Sequence, residues 1–209
     1  MIVDSLLDAW ALLLPVECAG CGAPDRSLCG SCRDRLTPRV TQHRVGSLEV
    51  LSALRYEDEA RSAILAFKEH GRTDIARSLG SALAASIAPL LSTADLIITV
   101  PTSRGAFSRR GFDPVGMLLK KAGYLRVAAL ENTRESGAQK ALDVDERAAN
   151  RVGALAATRR LDGSRVLLVD DVLTTGATLS EAARALSVAG AVVTSAATLA
   201  FTPRLLRRK

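Results

Sequence analysis

Aromatic side chains make up only 3% of this 209-residue chain, with a single tryptophan. Proteins dedicated to single-stranded nucleic acid stack bases on aromatic platforms, so the composition argues against that specialisation. It also leaves alanine, leucine and valine to fill a core drawn from the 48% of residues that are hydrophobic. Lysine is scarce as well, at five of 28 basic residues; with the alanine richness, this reads as GC-rich coding rather than special chemistry. The two histidines, His43 and His70, read as surface residues, so no residue is an evident general base. No segment reaches the ~18 consecutive apolar residues of a membrane-spanning helix. The apolar stretch MIVDSLLDAWALLLP lacks a basic flank and carries Asp4 and Asp8, so it reads poorly as a secretory signal. Its Leu6, Leu7, Trp10, Leu13 and Leu14 fall at helical spacing instead. A cytoplasmic chain is expected. No G-x-x-x-x-G-K-[ST] loop occurs, and no G-x-G-x-x-G follows a strand, which excludes Walker-type and dinucleotide-binding sites.

All four cysteines lie within fifteen residues, as Cys18-A-G-Cys21 and Cys29-G-S-Cys32. Thiolates two residues apart can grip one tetrahedral ion, and small residues between them allow tight turns. The pattern favours Zn2+ over a redox C-x-x-C or a disulfide pair, the latter needing an oxidising compartment. Four thiolates fill the coordination shell, so such a zinc would be structural. It would staple an N-terminal module of residues 1–37, which is too short to bury a core of its own.

Strands and helices alternate through the remainder, residues 38–209, which predicts an α/β fold with a parallel sheet. Val45 to Tyr56 reads as strand, with a hairpin near Gly46. Residues 59–69 place Ala60, Ala63, Ile64 and Phe67 on one helical face. A long helix over Asp74–Leu91, a buried strand over Leu96–Val100 and a helix over Pro114–Ala122 follow. Further strands are expected over Leu125–Leu130, Val166–Val169 and Val192–Phe201, with a helix over Thr178–Ala189. Residues 131–152 form a long polar insertion without clear periodicity, of the kind that closes over reactive ligands.

The most informative stretch is Val166 to Thr178, VLLVDDVLTTGAT. Four aliphatic residues make a strand, Asp170 and Asp171 end it, Val172 follows, and Thr174, Thr175, Gly176, Ala177 and Thr178 lead into a helix. The unpaired N–H donors of a helix amino terminus favour a phosphate, and the small residues let backbone approach it. Paired carboxylates one strand-end away suit ribose hydroxyls or Mg2+. A second loop, Val100 to Asp113, also follows a buried strand. Its Thr102, Ser103, Arg104, Arg109 and Arg110 suit a pyrophosphate, because arginine forks bind phosphate oxygens two at a time. The net charge of +6 permits such anions and equally permits nucleic acid.

The VDDVLTTGAT run resembles the phosphoribosyl-pyrophosphate (PRPP) signature of type I phosphoribosyltransferases. The full order of motifs resembles the ComF family: cysteine knuckles, Lys68 with Gly71, Pro101 through Arg109-Arg110-Gly111-Phe112, Arg134/Gln139/Leu142/Arg147/Asn150, then the PRPP loop. Asp113-Pro114 departs from the Asn-Gln more usual after RGF. The resemblance implies a type I phosphoribosyltransferase-like domain behind a small zinc-ribbon-like module. It implies ribose contacts from Asp170 and Asp171, a 5′-phosphate cradle at Thr174–Thr178, and Mg2+ bound with PRPP. It also implies a link to DNA uptake, hence to single-stranded DNA and competence partners, which the basic tail Arg204–Lys209 would suit.

Overall fold

The computed structural model describes residues 16–24, 26–133 and 152–203. Its strands are β1 (Thr41–Val45), β2 (Leu48–Arg55), β3 (Leu96–Thr99), β4 (Leu130–Asn132), β5 (Leu155–Ala157), β6 (Arg165–Leu173) and β7 (Val192–Phe201). Its α-helices are α1 (Gly30–Arg35), α2 (Asp58–Glu69), α3 (Ala76–Ile87), α4 (Arg104–Arg110), α5 (Pro114–Ala122) and α6 (Ala177–Val188). Five strands form one sheet in the order β1-β2-β7-β6-β3, parallel except for the β1–β2 hairpin. The hairpin turns at Gly46, whose φ of 60° suits glycine.

Strand β6 lies between β7 and β3 and is buried on both faces. Leu167 and Val169 join the cluster that packs α2, α3 and α5; Val166 and Leu168 join the cluster under α6. Each such leucine contributes about 2 kcal/mol by leaving water. The strand continues past the acids: Asp170 pairs in register with Thr198, Val172 with Ala200 and Leu173 with Phe201. Asp170 and Asp171 therefore lie within its carboxyl-terminal half, where ladder hydrogen bonds hold their backbone, and do not terminate it.

Thr73–Thr93 has the length and hydropathy of a membrane span, but half of its apolar window is buried. Leu79, Leu83 and Ile87 are buried in the core, and Gly80 lets α3 meet α5: a Cβ there would lie 2.8 Å from the Leu118 carbonyl oxygen. The knuckle residues Cys18, Leu28, Cys32 and Leu36 belong to this same cluster.

Two further expectations fail. The strand expected over Leu125–Leu130 is reduced to a single bridge between Val127 and Ile98, with Leu125 92% exposed; regular pairing starts only at Leu130. That pairing is antiparallel, β4 with β5, and it frames the polar insertion. The arginine-rich loop after Val100 contains a helix, α4, capped where the Ser103 hydroxyl accepts from the Ala106 N–H at 3.3 Å. Arg134, Gln139, Leu142, Arg147, Asn150, the amino-terminal helical stretch and the basic tail lie outside the described residues.

Candidate functional site

The carboxyl ends of β6 and β3 face one region, the place where open parallel sheets bind ligands. Gly176 caps α6 with φ of 82°, and a Cβ there would strike the Val45 methyls at 2.6 Å. Only glycine lets this turn seat against the β1 edge. Gly176 offers no side chain as a cap, and the Ala177 N–H reaches the Thr175 hydroxyl at 3.4 Å. Thr174 and Thr175 are exposed, while Ala177 and Thr178 are half-buried. This turn has small residues, hydroxyls and the positive end of a helix dipole, which together suit an anion.

The acids sit just before it. Asp171 meets the Lys68 ammonium at 2.5 Å, both side chains being about four-fifths buried. Asp170 accepts from the Asp171 N–H at 2.8 Å. Burial first, then the Asp171 charge, pushes the Asp170 carboxyl up to about 7; the Asp171 N–H and Lys68 oppose the rise. A carboxyl poised near neutrality beside an ion-paired one is a strong acceptor pair for a cation or for sugar hydroxyls.

Helix α2 delivers two further groups. Besides Lys68, its Glu69 binds Arg110 at 2.5 Å, and Arg110 first among its neighbours holds the Glu69 carboxyl below the usual range. Arg109 is exposed and its guanidinium reaches the Gly105 carbonyl at 3.4 Å. Arg104 opens α4. Thr102 donates to Asp113 at 3.2 Å, and the Thr102 carbonyl accepts from Asn132 of β4 at 3.3 Å. The structure thus gathers Lys68, Asp171 and the turn on one side, and Thr102, Ser103 and α4 on the other. Arg110, at the end of α4, pairs with Glu69.

Sequence reasoning named Asp113 only as a departure from the family pattern and passed over Arg126. Asp113 caps α5 through the Gly116 N–H at 3.3 Å and also binds Arg126, which donates to Thr99 at 3.1 Å. The departure from the family pattern is therefore a helix cap with a fixed counter-ion. An aspartate immediately before a proline at a helix start was a readable signal.

The four cysteine sulfurs lie within 4.8 Å of one another, as a tetrahedral thiolate site requires. The Cys29 N–H points at the Cys18 sulfur from 3.3 Å. A Cβ on Gly20 would collide with the Cys32 sulfur at 2.6 Å, so that glycine opens the space the cluster needs. Burial opposes ionisation of Cys18, but N–H groups of Cys21, Cys29 and Gly20 prevail and lower it to about 6. The Ser31 hydroxyl, then the Cys32 N–H, lower Cys29; burial raises Cys32. The donor set and its N–H···S bonds fit a metal ion, and zinc suits four thiolates.

Residues 109–209 match the phosphoribosyl transferase domain family. The chain is 31% identical over 94 residues to "Competence protein ComFC" of Streptococcus pneumoniae (strain ATCC BAA-255 / R6). The carboxyl-terminal part of the chain is thus similar to phosphoribosyl transferase domains, and part of it to that competence protein. The matched region is 45% of this chain's length and 42% of that relative's, so the chain spans less than half of the relative it matches. Among solved structures, orotate phosphoribosyltransferase from Aeropyrum pernix overlays with TM-score 0.37 and 17% identity, over 80% of this chain and 77% of that one. An adenine phosphoribosyltransferase overlays with TM-score 0.40 and 15% identity, over 80% of this chain and 99% of that one.

Proposed function

We propose that the chain binds PRPP and transfers its phosphoribosyl group to an acceptor. The observation that carries this reading is the juxtaposition of Asp170, Asp171 and Lys68 with the Thr174–Thr178 turn at the end of β6. In this reading the turn N–H groups and hydroxyls hold the 5′-phosphate, and the acids orient the ribose hydroxyls. Thr102, Ser103 and the start of α4 hold the pyrophosphate, with Arg104 and Arg109 beside it. Lys68 occupies the Asp171 carboxylate until PRPP arrives, then turns to the ligand's phosphates as a point charge. Arg134, Gln139 and Arg147, in the insertion at 131–152, are further candidates for ligand contact and lie outside the described residues. Displacement at the anomeric carbon forms a bond from the acceptor as the bond to the pyrophosphate oxygen breaks, and pyrophosphate leaves with the electron pair. Mg2+, when bound with PRPP, neutralises charge on the diphosphate.

The module boundary near residue 37 and a structural zinc on Cys18, Cys21, Cys29 and Cys32 belong to the same proposal. So does a cytoplasmic location, where thiols stay reduced. Calorimetry of PRPP with Mg2+, followed by assay of pyrophosphate release with a panel of bases and amines, tests the reading. If PRPP gives no heat, or binds equally to Asp170→Asn/Asp171→Asn, the site assignment is wrong.

The relative's name supports a second reading, a non-catalytic accessory of DNA uptake that binds single-stranded DNA and competence proteins. Its mark would be PRPP binding without turnover, together with single-strand binding that weakens steeply with salt.

A further inference from the structure

Helix α6 carries the phosphate turn at its start and a buried ion pair one turn further on. The Glu181 side chain is 5% exposed, and both of its oxygens accept from the Arg184 guanidinium at 2.7 Å. Arg184, against the cost of burial, holds this carboxyl below its ordinary value, so it is ionised at pH 7. A buried pair of this kind recovers little net stability, but its charge-assisted hydrogen bonds fix geometry tightly.

The pair holds one residue of β5 by both of its backbone groups. The Leu155 N–H donates to Glu181 at 3.1 Å, and the Leu155 carbonyl accepts from Arg184 at 3.1 Å. Two side chains of α6 thus hydrogen-bond the outer edge of β5, in the manner of a neighbouring strand. Among the described residues, β4 and β5 form a two-stranded sheet of their own, three residues to a strand. A ribbon that short is marginal without outside support, and α6 supplies it.

The ribbon passes the constraint on. Leu155 lies directly opposite Asn132 of β4. The Asn132 amide donates to the Thr102 carbonyl at 3.3 Å, in the loop after β3. Thr102 is held a second time through its hydroxyl, which donates to Asp113 at 3.2 Å. A continuous path of hydrogen bonds and one strand pair therefore runs from the helix behind the phosphate turn to the loop assigned to pyrophosphate. Those two loops leave the adjacent strands β6 and β3, so the path forms a second tie between them.

We propose that Glu181 is a positioning residue for PRPP: through Arg184, Leu155 and Asn132 it sets the separation between the seat of the 5′-phosphate and the seat of the pyrophosphate. The assignment rests on the PRPP-binding reading and adds to it a residue that touches neither end of the ligand. A ligand with anionic groups at both ends gains affinity by engaging two seats at once, and that gain depends on their spacing. Shifting one seat against the other lowers the gain while each seat keeps its own affinity.

The test uses the full chain with Mg2+. PRPP is titrated by calorimetry; ribose 5-phosphate and inorganic pyrophosphate are titrated separately, by phosphorus NMR to millimolar concentration. Glu181→Gln removes the charge, and Glu181→Leu/Arg184→Met replaces the pair by apolar side chains, an exchange that preserves stability at buried ion pairs. Asn132→Ala cuts the far end of the path at an exposed position. Each variant should bind PRPP about tenfold more weakly, with both fragments within about twofold of the wild type. Adding Asn132→Ala to Glu181→Gln should cost no further affinity, because both cut one path. Unchanged PRPP affinity in the apolar double variant, fragments weakened as much as PRPP, or additive losses would each overturn the positioning role. A wild type that takes PRPP but neither fragment has no separate seats to space, and overturns it as well. Failure of PRPP to bind the wild-type chain overturns the binding reading itself.

Discussion

Replacing Asp170 by asparagine should stabilise the fold while abolishing PRPP binding. The Asp170 carboxyl ionises near 7 in the folded protein, against an ordinary value of 3.8. An acid whose folded pKa is raised binds more protons folded than unfolded, so its contribution to stability falls as pH climbs from about 4 to about 7. Below that window it contributes nothing; above it, the full penalty applies. About three pH units at 1.36 kcal/mol each sets a ceiling of about 4 kcal/mol. Water reaching the half-buried carboxyl and the nearby Lys68 ammonium screen it, and about 2 kcal/mol is expected at pH 8. Asparagine keeps the shape and the oxygen that accepts from the Asp171 N–H, but carries no charge. Urea unfolding at pH 8 and pH 5 should show the variant more stable at both, with the smaller advantage at pH 5. An equal advantage at the two pH values, or a loss of stability at pH 8, would refute the burial argument.

Three other substitutions probe the frame around the site. Lys68→Met leaves Asp171 without its counter-ion and should cost about 1–3 kcal/mol, less than a fully buried pair; millimolar Mg2+ should raise its urea midpoint more than that of the wild type, and the reverse order would count against Lys68 occupying the cation position. Gly176→Ala should lose about 2 kcal/mol in thermal unfolding, through the φ of 82° and the clash with Val45. Adding Val45→Ala should recover only the clash, so full recovery would show that the turn's backbone is unstrained. Arg72→Ala removes donors to the carbonyls of Glu17 and Ser27, and chelator-driven zinc release, followed colorimetrically, should then accelerate; an unchanged rate would mean that the knuckle holds itself.

The sheet was legible because its strands are short aliphatic runs set between amphipathic helices. Val192–Phe201 and Pro114–Ala122 match their expected bounds, since a buried strand and a proline-started helix each announce both ends. The stretch at 125–130 misled because its apolar residues continue a strand-like pattern, while only Val127 finds a partner on the β3 edge. Helix α4 was hidden because arginines and glycines read as loop; its Ser103 cap and the left-handed Gly111 stop were the available signals. Within the site, local motifs exposed Asp170, Asp171 and the turn, all contiguous in sequence. The Lys68–Asp171, Glu69–Arg110 and Asp113–Arg126 pairs join residues from different elements, and no spacing rule reaches across a crossover.

Helix α2 touches both chemical centres of the molecule. Near its first turn, Glu59 meets Arg35 of α1 at 3.3 Å; in its last turn, Lys68 and Glu69 grip Asp171 and Arg110. Three turns of helix thus join the cysteine cluster to the Asp171 end of β6 and the arginines of α4. A displacement of the cysteine end, through metal loss or a protein docking there, would be carried to Lys68 without any intermediate hinge. The knuckle is then less an appendage than the bearing on which one wall of the pocket is mounted, and excising it to simplify the protein would unseat the side chains that such a simplification sets out to study.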